Sequence, residues 1–228
     1  ILHFAYPMKL YLARTWAMGE WPFWYPYLFQ GMPFLSLMHP GVFYPPSVLF
    51  LLNDFLFAFH AYFLFHHLVL TVSVYVLCRY WGRSIPASLC ASLTALLGGY
   101  FLSLASVYNQ FQSAVWLPLI FLMWQKFMFY GGLKYFCSAV VFLAFQVLGG
   151  GPENAIFSVL LIYAHSLYLA KNEERGFRQK TLGVLALGVA ALALSALQWI
   201  PTYHLLQETG RSGGLSLAAS TIWSLEPG

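Results

Sequence analysis

Charge is scarce in this chain: Asp, Glu, Lys and Arg together make up 8% of 228 residues, and there are three cysteines. Those cysteines, Cys78, Cys90 and Cys137, all sit inside apolar stretches, so no disulfide or metal framework follows from them. A phosphate-cradling loop of the P-loop type, an HExxH pair and a nucleophile elbow are all missing. Neither a low-complexity segment nor a boundary between soluble domains is visible. The net charge of +4 is spread over separate gaps without a stacking platform, which gives no case for nucleic acid.

What is present is apolar surface. A chain that is 60% apolar and 19% aromatic, with a mean hydropathy of +0.69, fits a lipid-solvated helical bundle better than a soluble core. Eight of its eleven Lys and Arg residues cluster in or beside alternate gaps between the apolar runs: Arg79 and Arg83, then Lys126 and Lys134, then Lys171, Arg175, Arg178 and Lys180. Cationic loops stay in the cytoplasm, so the pattern predicts an integral protein of the cell membrane and its orientation. The other side then receives residues 1–54, a turn at 106–110, the segment 149–154 and the chain from Pro201.

Six apolar runs are predicted to span: Phe55 to Cys78, Ile85 to Leu104, Phe111 to Phe129, Leu133 to Leu148, Ala155 to Ala170, and Thr181 to Ile200. This is an all-α, polytopic bundle over residues 55–200. Residues 1–54 form an extracytoplasmic loop rich in proline and aromatic rings, with a short interfacial helix from Pro7 to Met18. Residues 201–228 start a second extracytoplasmic segment. Ile1 in place of a Met reads as a fragment whose first membrane helix precedes it. Ala87, Ala91, Ala95 and Gly99 recur every four residues, a small-residue face that places the second run at the centre of the bundle. Pro118 should kink the third run.

The fourth and fifth runs have 16 residues each, where about 20 are needed to cross the hydrocarbon layer. The joining segment Gly149-Gly150-Gly151-Pro152-Glu153-Asn154 should therefore be recessed, and irregular backbone at that depth is tolerated only against protein or a water-filled cavity. For Glu153 two readings stay open. It suits the first turn of a helix opened by Pro152, and it suits the acid of a broken-helix site. His60, His66 and His67 read as structural histidines. His39 sits among turn residues, as a loop hydrogen-bonding group or a functional one, and Glu20 precedes the Trp21-Pro22 turn. Lys9, Arg14 and Arg211 are the three cations assigned to the outer side, against the bias, where they suit a phosphate or a lipid headgroup.

Several segments resemble the bacterial YfhO-like membrane proteins of the GT-C glycosyltransferase superfamily. The Gly19-Glu20-Trp21-Pro22-Phe23-Trp24-Tyr25-Pro26-Tyr27 stretch, continuing to Gly31-Met32-Pro33, is similar to that family's aromatic loop, and Phe43-Tyr44-Pro45 to its Phe-Tyr-Pro step. Gly150-Gly151-Pro152-Glu153 resembles a Gly-His-Pro segment, and Gln198-Trp199-Ile200-Pro201-Thr202 with Arg211 a Gln-x-x-Pro-Thr and later Arg. The resemblance implies a GT-C-like fold, a polyprenyl-phosphate sugar donor, an envelope glycan or polymer acceptor, and transfer on the outer face.

Glu153, His39 and Glu20 are then the catalytic candidates, and Arg211, Arg14 and Lys9 the phosphate-binding ones. Trp24, Tyr25, Tyr44, Gly150, Gly151, Asn154 and Gln198 are expected to line the pocket. The family's acidic base or metal ligand would fall before Ile1, so no metal site is assigned within the chain and the cofactor stays unknown. Tyr25 stands where the family has Asn, and Gly151 where it has His. A lipid or polymer transporter and a non-catalytic assembly protein are the competing readings.

Overall fold

The structure, a computed structural model, describes residues 5–28, 30–52, 54–170 and 177–209. Ten α-helices dominate it: α1 (Ala5–Ala17), α2 (Phe55–Tyr80), α3 (Ile85–Leu97), α4 (Gly99–Leu104), α5 (Tyr108–Ala114), α6 (Leu117–Tyr130), α7 (Leu133–Leu148), α8 (Pro152–Ala170), α9 (Phe177–Leu194) and α10 (Ala196–Gln207). The one sheet among the described residues is a two-stranded antiparallel ribbon, β1 (Trp24–Tyr25) on β2 (Met32–Pro33). The fold is thus all-α.

The 26 residues of α2 and the 20 of α3 with α4 make two helical stretches long and apolar enough to cross a membrane, and α9 with α10 makes a third if the bent pair is one span. Six spans, as expected from the hydropathy runs, do not emerge by this measure. The runs break where backbone chemistry interrupts them. Gly98 separates α3 from α4, and Pro118 opens the first turn of a new helix, α6, in place of kinking one long helix. The sixth run turns by 79° between Leu194 and Ala196.

Helix α2 starts at Asp54, whose carboxylate accepts the Leu56 and Phe57 N–H groups at 2.9 and 3.2 Å. Its buried residues, Ala58, Tyr62, His66, Leu70, Ser73 and Leu77, fall at spacings of three and four, a single stripe facing the bundle. The remaining faces expose Leu56, Phe57, Leu64, Leu68 and Val72. The same holds on α8 and α9, with Ile156, Phe157, Leu160, Leu185 and Val189 exposed. A water-facing surface rarely carries apolar area on this scale, which is consistent with a membrane protein.

The small-residue face of α3 has a different outcome from the central position expected of it. Only Ser88 and Ser92 are buried on that helix, Ala87 and Gly99 are exposed, and Leu89, Leu93 and Leu97 point outward. Among the described residues α3 packs mainly against α2, through the side that carries Ser88 and Ser92. Helices α6, α7, α8 and α9 form the core instead, around Trp124, Leu143, Ile162 and Leu187.

Residues 5–52 fold onto the bundle as a compact cap. Pro7 lies in the first turn of α1, where its missing N–H costs nothing. Tyr11, Tyr25 and Phe34 meet edge-on or tilted at centroid distances of 5.1 to 5.5 Å. Gly31 leaves room for the Trp24 indole, which lies 2.4 Å from where a Cβ would stand.

Candidate functional site

The turn between α7 and α8 is buried at Gly149, Gly150 and Gly151, although a carboxylate follows two residues later. Gly150 adopts φ +87° and lies so close to the cap that a Cβ there would stand 2.8 Å from the Met38 carbonyl oxygen. A Cβ on Gly151 would stand 2.6 Å from that of Ser113, so the position where the resembling family has His has no room for one in this chain. The turn thus approaches both the loop at Met38 and helix α5.

Helix α5 supplies the hydrogen bonds that buried irregular backbone needs. Asn109 Nδ2 donates to Gly150 O at 2.8 Å, Gln112 Nε2 donates to Gly149 O, and Ser113 Oγ reaches Gly151 O at 2.9 Å. Asn154 Nδ2 donates to Gln110 Oε1 at 2.8 Å, and Gln110 Nε2 donates to Glu153 Oε2 at 3.1 Å. Glu153 is exposed in the first turn of α8. Both readings of it therefore keep their basis: the carboxylate complements the helix end, and it stands at the rim of a recess.

His39 lies near enough to feel the Glu153 carboxylate. Burial of part of its ring holds its pKa below the ordinary 6.5, against the opposing pull of the Glu153 carboxylate. Of the residues singled out in the sequence, Glu153, His39, Asn154, Gly150 and Gly151 thus belong to one place. Glu20 does not join them. It is exposed, lining an open groove of about 390 Å³ with Trp16, Trp21, Phe43 and Tyr44. Arg14 is exposed in the last turn of α1, and Arg211 lies outside the described residues.

Lys9 is not a surface cation. It is 1% exposed, with Nζ donating to Pro40 O at 2.7 Å and to Tyr62 Oη at 3.1 Å and lying 4.6 Å from the centroid of the Tyr62 ring. Burial alone pulls its amine down to about 7. The reason is positional: Lys9 is on the face of α1 that packs on the cap and α2. From Tyr62 the network continues to Gln112 Oε1 at 2.7 Å, and so to the glycine turn.

Tyr44 is buried rather than presented to a ligand. Trp116 Nε1 donates to its hydroxyl at 2.7 Å, and His66 Nε2 lies 2.8 Å from the same oxygen. Burial lifts the phenol well above its ordinary value, helped by Tyr62, while the Trp116 bond works the other way. Tyr108 Oη meets His66 Nδ1 at 3.1 Å. Gln198 lies apart from the recess, holding α10 to the cap through the Leu35 and Leu37 carbonyls at 3.0 and 3.3 Å. Trp24 is exposed and Tyr25 buried in the ribbon, so neither reaches the glycine turn. Among the described residues no group of three His, Cys, Asp or Glu side chains converges for a metal ion.

The polar residues of α5, with Tyr62, went unassigned from the sequence, whereas His66 is the buried structural histidine it was read as. The signal was present: Tyr108, Asn109, Gln110, Gln112 and Ser113 crowd hydrogen-bonding side chains into six positions of an apolar chain.

Beside the recess lies an almost wholly apolar cavity of about 500 Å³, walled by α7, α8, α9 and α10. Met38, Val147, Pro152, Ile156, Leu192 and Tyr203 are among its lining residues. Its size falls in the range of roughly 300–1,000 Å³ usual for small-molecule sites. No family model, curated protein or solved structure matches the chain.

Proposed function

We propose that this chain is a glycosyltransferase-like protein of the cell membrane, one that transfers a sugar from a polyprenyl phosphate to an envelope acceptor on the outer face. The observation that carries the reading is an adjacency. The apolar cavity and the Glu153–His39 rim share the Met38–His39 loop and the start of α8. A lipid tail in the cavity puts its head group at that rim.

In this reading the acceptor hydroxyl oxygen attacks the anomeric carbon, the bond from that carbon to the phosphate oxygen breaks, and its electron pair leaves with the lipid phosphate. Glu153 takes the hydroxyl proton. Gln110 orients the carboxylate through its 3.1 Å bond, and Arg211 stabilises the departing phosphate. The YfhO-like and GT-C resemblance supports the donor class. The orientation rests on the basic gaps: six crossings, with Arg79 and Lys134 in the cytoplasm and residues 1–54 outside. It is checked by labelling single cysteines from outside, where a position beside Gly213 should react and one beside Arg175 should not.

Transfer is tested by incubating the full-length protein in membranes with labelled polyprenyl-phosphate sugars. Glu153→Gln should lower turnover by about 10²–10⁴-fold while donor binding is kept. Near-normal transfer by the correctly inserted variant returns Glu153 to the helix-cap reading. Lipid movement without any sugar transfer favours the transporter alternative, since the same cavity serves a lipid carried intact.

A further inference from the structure

Beneath His39 a second, smaller cavity of about 120 Å³ is lined by Ala5, Met8, Lys9, His39, Ser106, Val107, Tyr108 and Asn109. Its walls divide sharply. Ser106, Val107 and His39 are exposed and form a mouth, whereas Met8, Lys9 and Tyr108 are buried and form the floor. A lysine 1% exposed at the bottom of an outward-opening cavity is an unusual wall component, because desolvating an ammonium without a counter-charge is costly.

Among the described residues the partners of Lys9 are all neutral: the Pro40 carbonyl, the Tyr62 hydroxyl, and the ring faces of Tyr62 and Phe50. An ammonium carries three N–H donors, and these contacts use two. The groups facing it from neighbouring elements are His39 on the loop, Tyr62 and His66 on α2, Tyr108 on α5, and Tyr44. Among the described residues, Glu153 is the carboxylate that acts on His39.

We propose that this cavity is a phosphate-class oxyanion site, in which the anion binds Lys9 at the floor and His39 at the mouth while the Lys9 amine takes up one proton from solvent. The counter-charge that no described residue provides is what the ligand supplies. Before binding, the amine has a pKa of about 7. A bound anion favours the ammonium, so above pH 7 each binding event takes up a proton, and below pH 7 the amine is already charged. His39, when protonated, offsets the repulsion from Glu153 and adds to anion affinity at lower pH. The inference builds on the donor reading in placing a phosphate beside the glycine turn, and its test needs no transfer.

The experiment is titration calorimetry on the full chain in phosphatidylcholine nanodiscs, with sulfate as a probe whose own charge is constant from pH 6 to 9. Saturable binding is expected, with affinity nearly flat between pH 6.5 and 7 and falling up to tenfold per pH unit above it. Comparison of buffers with different ionisation enthalpies should show up to one proton taken up per anion at pH 8. Lys9→Met should lower affinity at least tenfold. Val107→Trp, which fills the mouth from an exposed position and leaves the floor intact, should do the same. Arg83→Ala, at an exposed cation between α2 and α3, should leave affinity within twofold.

Absence of saturable binding, binding without proton uptake at pH 8, or unchanged affinity in Val107→Trp overturns the proposal. Inorganic phosphate and farnesyl phosphate separate the sources. At least tenfold tighter binding of the farnesyl ester points to a lipid head group, equal affinity to a free phosphate, and either outcome supports the site. Anion binding that persists in a protein inactive in transfer removes the transfer reading and keeps this one.

Discussion

The α5–α7–α8 junction and the α3–α4 arm are both made from apolar sequence, yet they use polar atoms in opposite ways. At the junction, Asn109, Gln110, Gln112, Ser113 and Asn154 each bond outside their own helix, to backbone or side chains far along the chain. On the arm, Ser88 and Ser92 return their hydroxyls to carbonyls four and three residues back, Ser84 O and Leu89 O. The difference teaches that polarity alone does not mark a site in such a chain. Polar groups that satisfy their own helix are neutral passengers, and those that hold irregular backbone in a buried place fix its shape.

The largest effect that would break this contrast is expected at Gly150. Gly150→Val combines a φ of +87° with a Cβ 2.8 Å from the Met38 carbonyl, so the turn cannot keep both its conformation and its contact with the cap. A loss of about 3 kcal/mol or more is expected, read as a fall in the thermal midpoint in detergent. A midpoint within a degree of the parent would mean that the turn is not held against the cap.

The pH dependence of stability sharpens the same contrast. Lys9 is held at about 7 when folded, against 10.5 when exposed, so between these values the unfolded chain binds more protons and stability rises with pH. The slope should approach about 1.4 kcal/mol per pH unit from pH 7.5 to 10, and be removed in Lys9→Met. Denaturant titrations of both proteins at three pH values measure it, and equal slopes would contradict the burial of the amine.

Gln112→Leu comes next. It takes the Gln112 donor from the Gly149 carbonyl and the acceptor from the Tyr62 hydroxyl proton, for an expected cost of about 1–3 kcal/mol, measured the same way. The smallest effect is expected on the arm. Leu93→Ala removes an exposed side chain from α3 and should change stability by less than about 0.5 kcal/mol. A larger loss would mean that the outer face of α3 is covered by something in its working state.

Much of the architecture was legible as pattern. Leu133 and Leu148 bound α7 as the hydropathy run does, α1 starts within two residues of Pro7, and the glycine turn is buried, although α8 at 19 residues is longer than the 16-residue run expected there. Element borders defined by length, proline and glycine are local properties, so local sequence carries them. The breaks at Gly98 and Ser195 were not legible, because hydropathy is continuous through both. What bends the last run is remote: Gln198 and Thr202 bond carbonyls at Leu35, Leu37 and Ser36, more than 160 positions away.

The sequence by itself determined that this protein is helical, apolar on its outer faces and punctuated by a glycine turn that leads into an acid, since composition and periodicity govern which surfaces leave water. It could name Glu153, His39, Lys9 and Tyr44 only as unusual residues. The tertiary structure decided that the first two share a rim, that Lys9 floors a cavity, and that Tyr44 is committed to His66 and Trp116. The physical reason is that a side chain's protonation and reach depend on its solvent and partners, and those come from segments that only folding brings together.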